Sequence, residues 1–251
     1  MNGIDGGVAV VTGAAAGIGR ASARRFAAEG ASVVVADIDA VDLAETVELI
    51  EADGGEATAV ETDVSDADDV AALVEETIDT YGVPDFAHNN AGIEGSAARM
   101  ADQSLEEYKR VIEVNQDGVW NCLTEELAVM ADNGGGAIVN SSSIAGLSAG
   151  GGAPYVASKH GVVGLTRAAA TEYGPVGVRV NAVCPGVIDT EMIDRSSEEM
   201  GAETIERIVQ AKPLRRMGDP EEVAAAAVWR CAADSAVVTG HPLVIDGGYP
   251  A

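Results

Sequence analysis

Short runs rich in valine and isoleucine alternate along the chain with stretches of helical patterning, and few folds accommodate that order. Val8–Thr12, Ser32–Asp37, Ala57–Glu61, Asp85–His88, Ala137–Asn140, Val178–Val183 and Leu243–Ile245 read as strands. The clearest of them are almost continuously apolar, as strands buried on both faces of a parallel sheet must be. Helical stretches fall between them, at about 18–29, 40–53, 66–81, 104–131, 154–173, 190–211 and 219–232. This order predicts an α/β protein: a Rossmann-like, doubly wound, parallel seven-stranded sheet with helices on both faces. No linker, repeat or low-complexity block divides the sequence, so residues 1–251 are expected to form one domain.

The charge balance narrows the environment and the partners. The chain carries 41 acidic and 15 basic residues, a formal net charge of −26, with only three lysines, Lys109, Lys159 and Lys212. Such a surface repels nucleic acid and anionic membranes. Its self-repulsion needs screening, which salt supplies; together with the scarcity of lysine this predicts a halophilic protein working in a salty cytoplasm, the alternative being a merely acidic mesophilic one. Cys122, Cys184 and Cys231 are far apart, as are His88, His160 and His241, so neither a disulfide framework nor a metal site is expected. No secretory signal pattern and no apolar run of membrane-spanning length is visible, which points to a cytoplasmic protein.

The segment from Val8 to Gly19 runs from a strand through glycines into a helix. Gly13, Gly17 and Gly19 allow a tight turn and close backbone approach, and the helix start offers free N–H groups and a positive dipole end to a pyrophosphate. An ordinary strand–helix turn could carry the same glycines. Asp37 closes the second strand, 18 residues after Gly19, where an acid reaches the adenosine ribose hydroxyls. A carboxylate there repels a 2′-phosphate, and neither Ile38 nor Ala16 welcomes one, which favours NAD over NADP. Asp37 could instead only cap its turn. Asp63 and Val64, after the third strand, could hold the adenine edge or merely start a helix.

Tyr155 and Lys159 stand four residues apart, on one helix face. A phenol near pKa ~10 is a poor base at neutral pH, but a neighbouring cation stabilises the phenolate. Tyr155 could then take a proton from an alcohol or return one to a forming alkoxide. Upstream, Ser141, Ser142 and Ser143 follow a strand at the sheet edge where ligands bind in open α/β sheets. One of these hydroxyls could hold a substrate oxygen, or the cluster could be only a polar turn.

With these motifs the chain resembles the short-chain dehydrogenase/reductase family, in its single-domain branch, from about Gly7 to Gly248. Its T-G-x-x-x-G-x-G stands at Thr12–Gly19, its N-N-A-G at Asn89–Gly92, and its closing D-G-G at Asp246–Gly248. The resemblance implies a catalytic set of Asn115, Ser143, Tyr155 and Lys159. Ser143 is chosen because S-x-x-G ends at Gly146; the loop from it to Tyr155 is one residue shorter than is common in relatives, which keeps Ser142 as an alternative. By the same resemblance Tyr155 is the acid/base, Lys159 lowers its pKa and bonds the nicotinamide ribose, Ser143 orients the substrate oxygen, and Asn115 holds a relay water. Dinucleotide contacts are implied at Gly13, Ala16, Gly17, Ile18 and Gly19, then at Asp37, Ile38, Asp63 and Val64. Further contacts are implied at Asn90, Ala91 and Gly92, at Tyr155 and Lys159, and at Pro185, Gly186, Val187, Ile188 and Thr190. The substrate is expected against Glu94, Ser143, Tyr155 and Gly186, under a lid at about 190–217.

The reaction this implies is hydride transfer between NAD and a neutral secondary alcohol, cyclic or sugar-like, or its ketone. Two other readings are an NADPH-dependent 3-oxoacyl thioester reductase, which Asp37 disfavours, and a nucleotide-sensing protein without turnover, which the complete catalytic set disfavours. The helices at 104–131 and 154–173 resemble those that build the family's interfaces, and small residues such as Ala157, Gly161 and Gly164 predict a homotetramer.

Overall fold

The computed structural model describes residues 1–248; residues 249–251 of the expected domain, and the side chains of Glu199 and Met200, lie outside the described residues. Seven parallel strands form one sheet: β1 (Val8–Thr12), β2 (Ser32–Asp37), β3 (Glu56–Glu61), β4 (Phe86–Asn89), β5 (Gly136–Ser141), β6 (Val178–Pro185) and β7 (Pro242–Ile245). They lie in the order β3-β2-β1-β4-β5-β6-β7. The direction of winding therefore reverses between β1 and β4, and a crevice opens at such a reversal, outside the carboxyl ends of the strands.

Side chains alternate across the sheet, so each strand feeds two cores. On one face Ala9, Val11, Val33, Val35, Val139 and Val183 pack on α1 (Gly17–Ala28), α2 (Ala40–Ala52) and α9 (Pro220–Cys231) through Phe26, Leu43, Ile50 and Val228. On the other, Val10 and Val34 meet Leu73 of α3 (Ala67–Thr80). On that same face Ala87, Ile138 and Val180 meet Leu123 and Leu127 of α5 (Gly118–Asp132) and Val162 of α6 (Ala153–Tyr173). Each such buried aliphatic side chain contributes about 1.5–3 kcal/mol, which makes two-sided coverage of the sheet the dominant stabilising term.

Two helices expected to be continuous are not. The stretch 104–131 divides into α4 (Leu105–Ile112), a π turn at Glu113–Asp117, and α5. The wider turn places Asn115 in the interior, with no solvent exposure, where its amide satisfies the backbone of Ile93; π turns commonly mark such functional insertions. The stretch 190–211 breaks into α7 (Glu191–Met200) and α8 (Ala202–Gln210) at Gly201, whose φ of 87° no helix accommodates. The remaining boundaries move by a residue or two, which is ordinary for element ends.

Candidate active site

Four loops leave the carboxyl ends of β1, β4, β5 and β6 and meet over the crevice. The first is the glycine turn into α1. Gly13 has φ +65°, and a Cβ there would come within 2.8 Å of the Ala91 backbone; a Cβ at Gly19 would overlap the Gly13 carbonyl oxygen. Only glycine permits this packing. The turn is tied to the second loop by Thr12, whose Oγ1 accepts from the amides of Asn90 (3.0 Å) and Ala91 (3.2 Å), while Asn90 Nδ2 donates to the Gly13 carbonyl at 3.2 Å. Beneath them His88 Nε2 meets Ser141 Oγ at 3.0 Å, and that hydroxyl donates on to Asn90 Oδ1. Burial pushes His88 down to about 3, so it is a neutral strut and not a proton donor to the site.

Asp37 stands at the end of β2, where Oδ2 accepts from the Ala15 amide at 3.0 Å and Oδ1 from Asp39 at 3.2 Å. It thus braces the glycine turn and puts a fixed negative charge beside it. Ile38 is 69% exposed next to it, an apolar shelf. The first arginine of α1, Arg20, is held by Thr46, the Asp42 carbonyl and Glu45. Asp63 binds its own turn through Ser65, and Val64 is buried against Gly118.

A cavity of about 560 Å³ lies at the other end of the crevice. Its wall includes Ile18, Asn90, Gly92, Glu94, Ser143, Tyr155, Lys159, Pro185, Gly186, Val187, Ile188 and Thr190, so most of the residues expected to touch nicotinamide or substrate converge on one space. Gly13, Gly17, Asp37, Ile38 and Asp63 lie outside that space, along the run toward the end of β2. An extended ligand with a polar middle and a flat far end fits this plan: the glycine- and alanine-lined turn and start of α1 for a pyrophosphate, the Ile38 shelf for a ring.

Within the cavity Tyr155 and Lys159 lie on one face of α6. The lysine ammonium is 5.6 Å from the phenol ring centre and donates to the Ser141 carbonyl at 2.9 Å. Burial lowers Lys159 to about 8. Tyr155 departs from the sequence expectation of a lowered pKa: burial raises it, the hydrogen bond from Ser143 partly offsets this, and the charges of Glu94 and Cys184 push it up further. Burial is the largest of these effects, and the neighbouring ammonium does not oppose it because it is directed at a backbone carbonyl.

The two serines divide their work. Ser143 hydrogen-bonds Tyr155 and faces the cavity, whereas the Ser142 hydroxyl donates to the Lys159 carbonyl at 2.8 Å and is buried. Asn115 Nδ2 donates to Ile93 O (2.8 Å) and Ser158 Oγ (3.1 Å), and its Oδ1 accepts from Ile93 N (2.7 Å). It converges with Lys159 on Gly92, where a Cβ would sit 3.1 Å from Asn115 Oδ1 and 3.3 Å from Lys159 Nζ. Sequence reasoning missed Thr12 and Ser141 as the joints of this framework. The signal for Thr12 was its place at the last residue of β1; for the Ser141 carbonyl there was none.

A glycine-turned nucleotide crevice joined to a pocket holding serine, tyrosine and lysine defines a dehydrogenase/reductase on a dinucleotide-binding sheet. Comparison with known proteins agrees: a family profile described as enoyl-(acyl carrier protein) reductase matches residues 13–250, and the chain belongs to this family of short-chain dehydrogenases/reductases. Over 246 residues it is 41% identical to the cyclohexanol dehydrogenase of Acinetobacter sp. (strain SE19), covering 96% of this chain and 94% of that protein. The crystal structure of levodione reductase superposes with a TM-score of 0.94 at 35% identity, covering 97% of each chain. A 3-oxoacyl-[acyl-carrier protein] reductase with bound NAD from Brucella melitensis superposes with a TM-score of 0.89 at 35% identity, over 98% of this chain and 92% of that one. The protein is an oxidoreductase of alcohols and ketones that uses a nicotinamide dinucleotide.

Proposed function

We propose that the protein is an NAD-linked dehydrogenase of a neutral, cyclic secondary alcohol, running equally as a reductase of the ketone. The carrying observation is the Tyr155 phenol, hydrogen-bonded by Ser143 beside the Lys159 ammonium in one cavity whose wall reaches Ile18 at the start of α1. Bound dinucleotide supplies the hydride acceptor or donor. The chain's own residues handle the proton: Ser143 holds the substrate oxygen and hydrogen-bonds the phenol, Tyr155 Oη takes the hydroxyl proton or returns it, and Lys159 holds the cofactor ribose. Asn115 fixes the Ile93 backbone beside Lys159, on the path by which a water relay would connect that proton to solvent.

NAD is favoured over NADP because the Asp37 carboxylate repels a 2′-phosphate and Arg20 is engaged elsewhere. That preference also argues against an NADPH-dependent 3-oxoacyl thioester reductase. The cyclic substrate class rests on the likeness to cyclohexanol dehydrogenase and on the apolar side chains in the cavity wall, among them Ile144, Val187, Met192 and Ile193. The segment 190–217 serves as its lid, within a single domain. Exposed Leu105, Tyr108 and Trp120 on α4 and α5 support association of those helices in a homotetramer. Among the described residues no helix is long and apolar enough to cross a membrane. With the net charge of −26, we place the enzyme in a salty cytoplasm.

Initial rates on cyclohexanol and cyclohexanone, with each dinucleotide, test the reading. The expected result is turnover with NAD, reduced by about 10²–10⁴-fold in Tyr155→Phe with dinucleotide affinity retained. Equal turnover in that variant would remove Tyr155 from the mechanism.

A further inference from the structure

The substrate side of the cavity is mostly apolar, yet it contains a carboxylate. Among the described residues of its wall, Glu94, Tyr155 and Lys159 are the ionisable ones. Glu94 is set there by the turn that follows it. Gly95 has φ +67°, and a Cβ at that position would come within 2.6 Å of Val111 Cγ2 on α4. The chain then continues at Ser96, whose amide donates to Glu107 Oε1 at 3.1 Å. The loop is thereby pinned to α4 on one side while Glu94 remains in the cavity wall, near enough for its charge to act on Tyr155.

A fixed anion in such a wall sorts ligands by charge. A carboxylate-bearing substrate meets like charge in a water-poor space. An ammonium would be drawn to Glu94 but repelled by Lys159, which shares the cavity, and by the positive ring of an oxidised nicotinamide. A neutral hydrogen-bond donor avoids both penalties, and a carboxylate, with about four lone-pair sites, can accept its hydrogen bond alongside the contacts Glu94 makes within the protein.

We propose that Glu94 is a specificity-determining residue that accepts a hydrogen bond from a second hydroxyl of a neutral ring, so that cyclic diols are preferred over simple cyclic alcohols and hydroxy acids are excluded. This rests on the proposed reaction at the same site, with Ser143 and Tyr155 on the reacting oxygen and Glu94 on the other one.

The test compares wild type, Glu94→Gln and Glu94→Leu on cyclohexanol, the 1,2-, 1,3- and 1,4-cyclohexanediols and 4-hydroxycyclohexanecarboxylate. Wild type is expected to show a kcat/KM at least about tenfold higher on its best diol than on cyclohexanol, mainly through KM, because a site built for a polar group discriminates strongly against its absence. The ratio should shrink in Glu94→Gln, which still accepts, and fall to about one in Glu94→Leu. Relative activity on the hydroxy acid should rise in both variants. Calorimetric titration of the same diol and cyclohexanol into NAD-loaded Tyr155→Phe enzyme, with and without Glu94→Gln, reads the preference as Kd without turnover. A diol-to-cyclohexanol ratio near one in wild type, or one that the substitutions leave unmoved in rates or Kd, overturns the role of Glu94. If no alcohol is turned over, the proposed reaction falls, and the Kd comparison still decides whether Glu94 binds the hydroxyl.

Discussion

The Lys159 ammonium donates to the main-chain carbonyl of Ser141 at 2.9 Å, buried in the same cavity as the phenol it accompanies. Burial holds its folded pKa near 8, below the ordinary 10.5. The folded state therefore binds fewer protons than the unfolded state between those values. The cost of the buried charge is fully present below about pH 8 and disappears as pH rises toward 10.5. Lys159→Met should stabilise the fold at pH 7 by on the order of 2 kcal/mol, with little gain at pH 10.5. The same variant should lose about 10²–10⁴-fold in kcat/KM. Denaturant melts at the two pH values check the first claim; destabilisation at pH 7 would mean that the Ser141 bond outweighs the burial cost.

Ser142 and Ser143 can be told apart by opposite signatures. Ser143→Ala removes the hydroxyl that faces Tyr155 and accepts from the Ala145 amide at 3.1 Å, and should cost about tenfold to a thousandfold in turnover with a smaller loss of stability than Ser142→Ala. Ser142→Ala removes a buried bond to the Lys159 carbonyl and should cost about 1–2 kcal/mol of stability, with the smaller loss of turnover. Paired melts and rates on both variants decide; the reverse pattern would move the substrate-orienting role to Ser142.

Much of this architecture is readable from local sequence because local periodicity creates it. The valine runs, the glycine turn at Gly13–Gly19 and the four-residue spacing of Tyr155 and Lys159 are set by near neighbours, and the structure has them where the pattern puts them. What escaped depends on contacts distant in sequence. The π turn at Glu113–Asp117 exists where Asn115 meets Ile93 and Ser158, which no helical pattern announces. The raised pKa of Tyr155 comes from its burial in the assembled site and from Glu94 and Cys184, which stand far from it in the sequence. Glu126 reads like one more surface acid in an acidic protein. Its spacing from Cys122 and Met130 nevertheless puts it on the buried face of α5, and the structure leaves it 1% exposed.

That buried Glu126 accepts from Asn89 Nδ2 at 2.9 Å, and Asn89 also reaches Asn140, which donates to Thr166. Burial raises Glu126 to about 8 against the ordinary 4.5. The folded state binds the extra proton in that window, so stability falls as pH climbs from about 4.5 to about 8, and the charged form is penalised above it. Glu126→Gln keeps the acceptor without the charge. It should be near neutral at pH 5 and stabilising by on the order of 3 kcal/mol at pH 9. An identical effect at both pH values would show that Glu126 titrates normally.

Dinucleotide choice should hinge on Asp37. Asp37→Asn retains an acceptor for the Ala15 amide but removes the charge facing a 2′-phosphate. The ratio of kcat/KM for NAD over NADP should fall by at least about tenfold, since one charge interaction of about 1.4 kcal/mol is a factor of ten. A ratio that does not move would transfer the discrimination to another part of the crevice.

Salt should act on the whole surface. With a net charge of −26, repulsion among acids such as Glu45, Glu48 and Glu51, all exposed on α2, exceeds what the few arginine pairs relieve. Arg20–Glu45 and Arg24–Asp53 are partly solvated, and pairs of that kind contribute about 0–1 kcal/mol each. Raising salt from 0.1 M to 1 M shortens the screening length from about 10 Å to about 3 Å. This removes most repulsion between neighbouring helices while weakening the same pairs only slightly in absolute terms. Tm should therefore rise with KCl by about 5 °C or more, since ~2 kcal/mol shifts a chain of this size by roughly that amount. Changing Glu48 and Glu51 together to glutamine should reproduce part of the rise at 0.1 M and leave less for KCl to add. Scans in KCl and in sucrose separate the causes. A neutral co-solute that matched the salt effect would point to exclusion from the surface, and a Tm indifferent to KCl would remove the saline environment from the proposal.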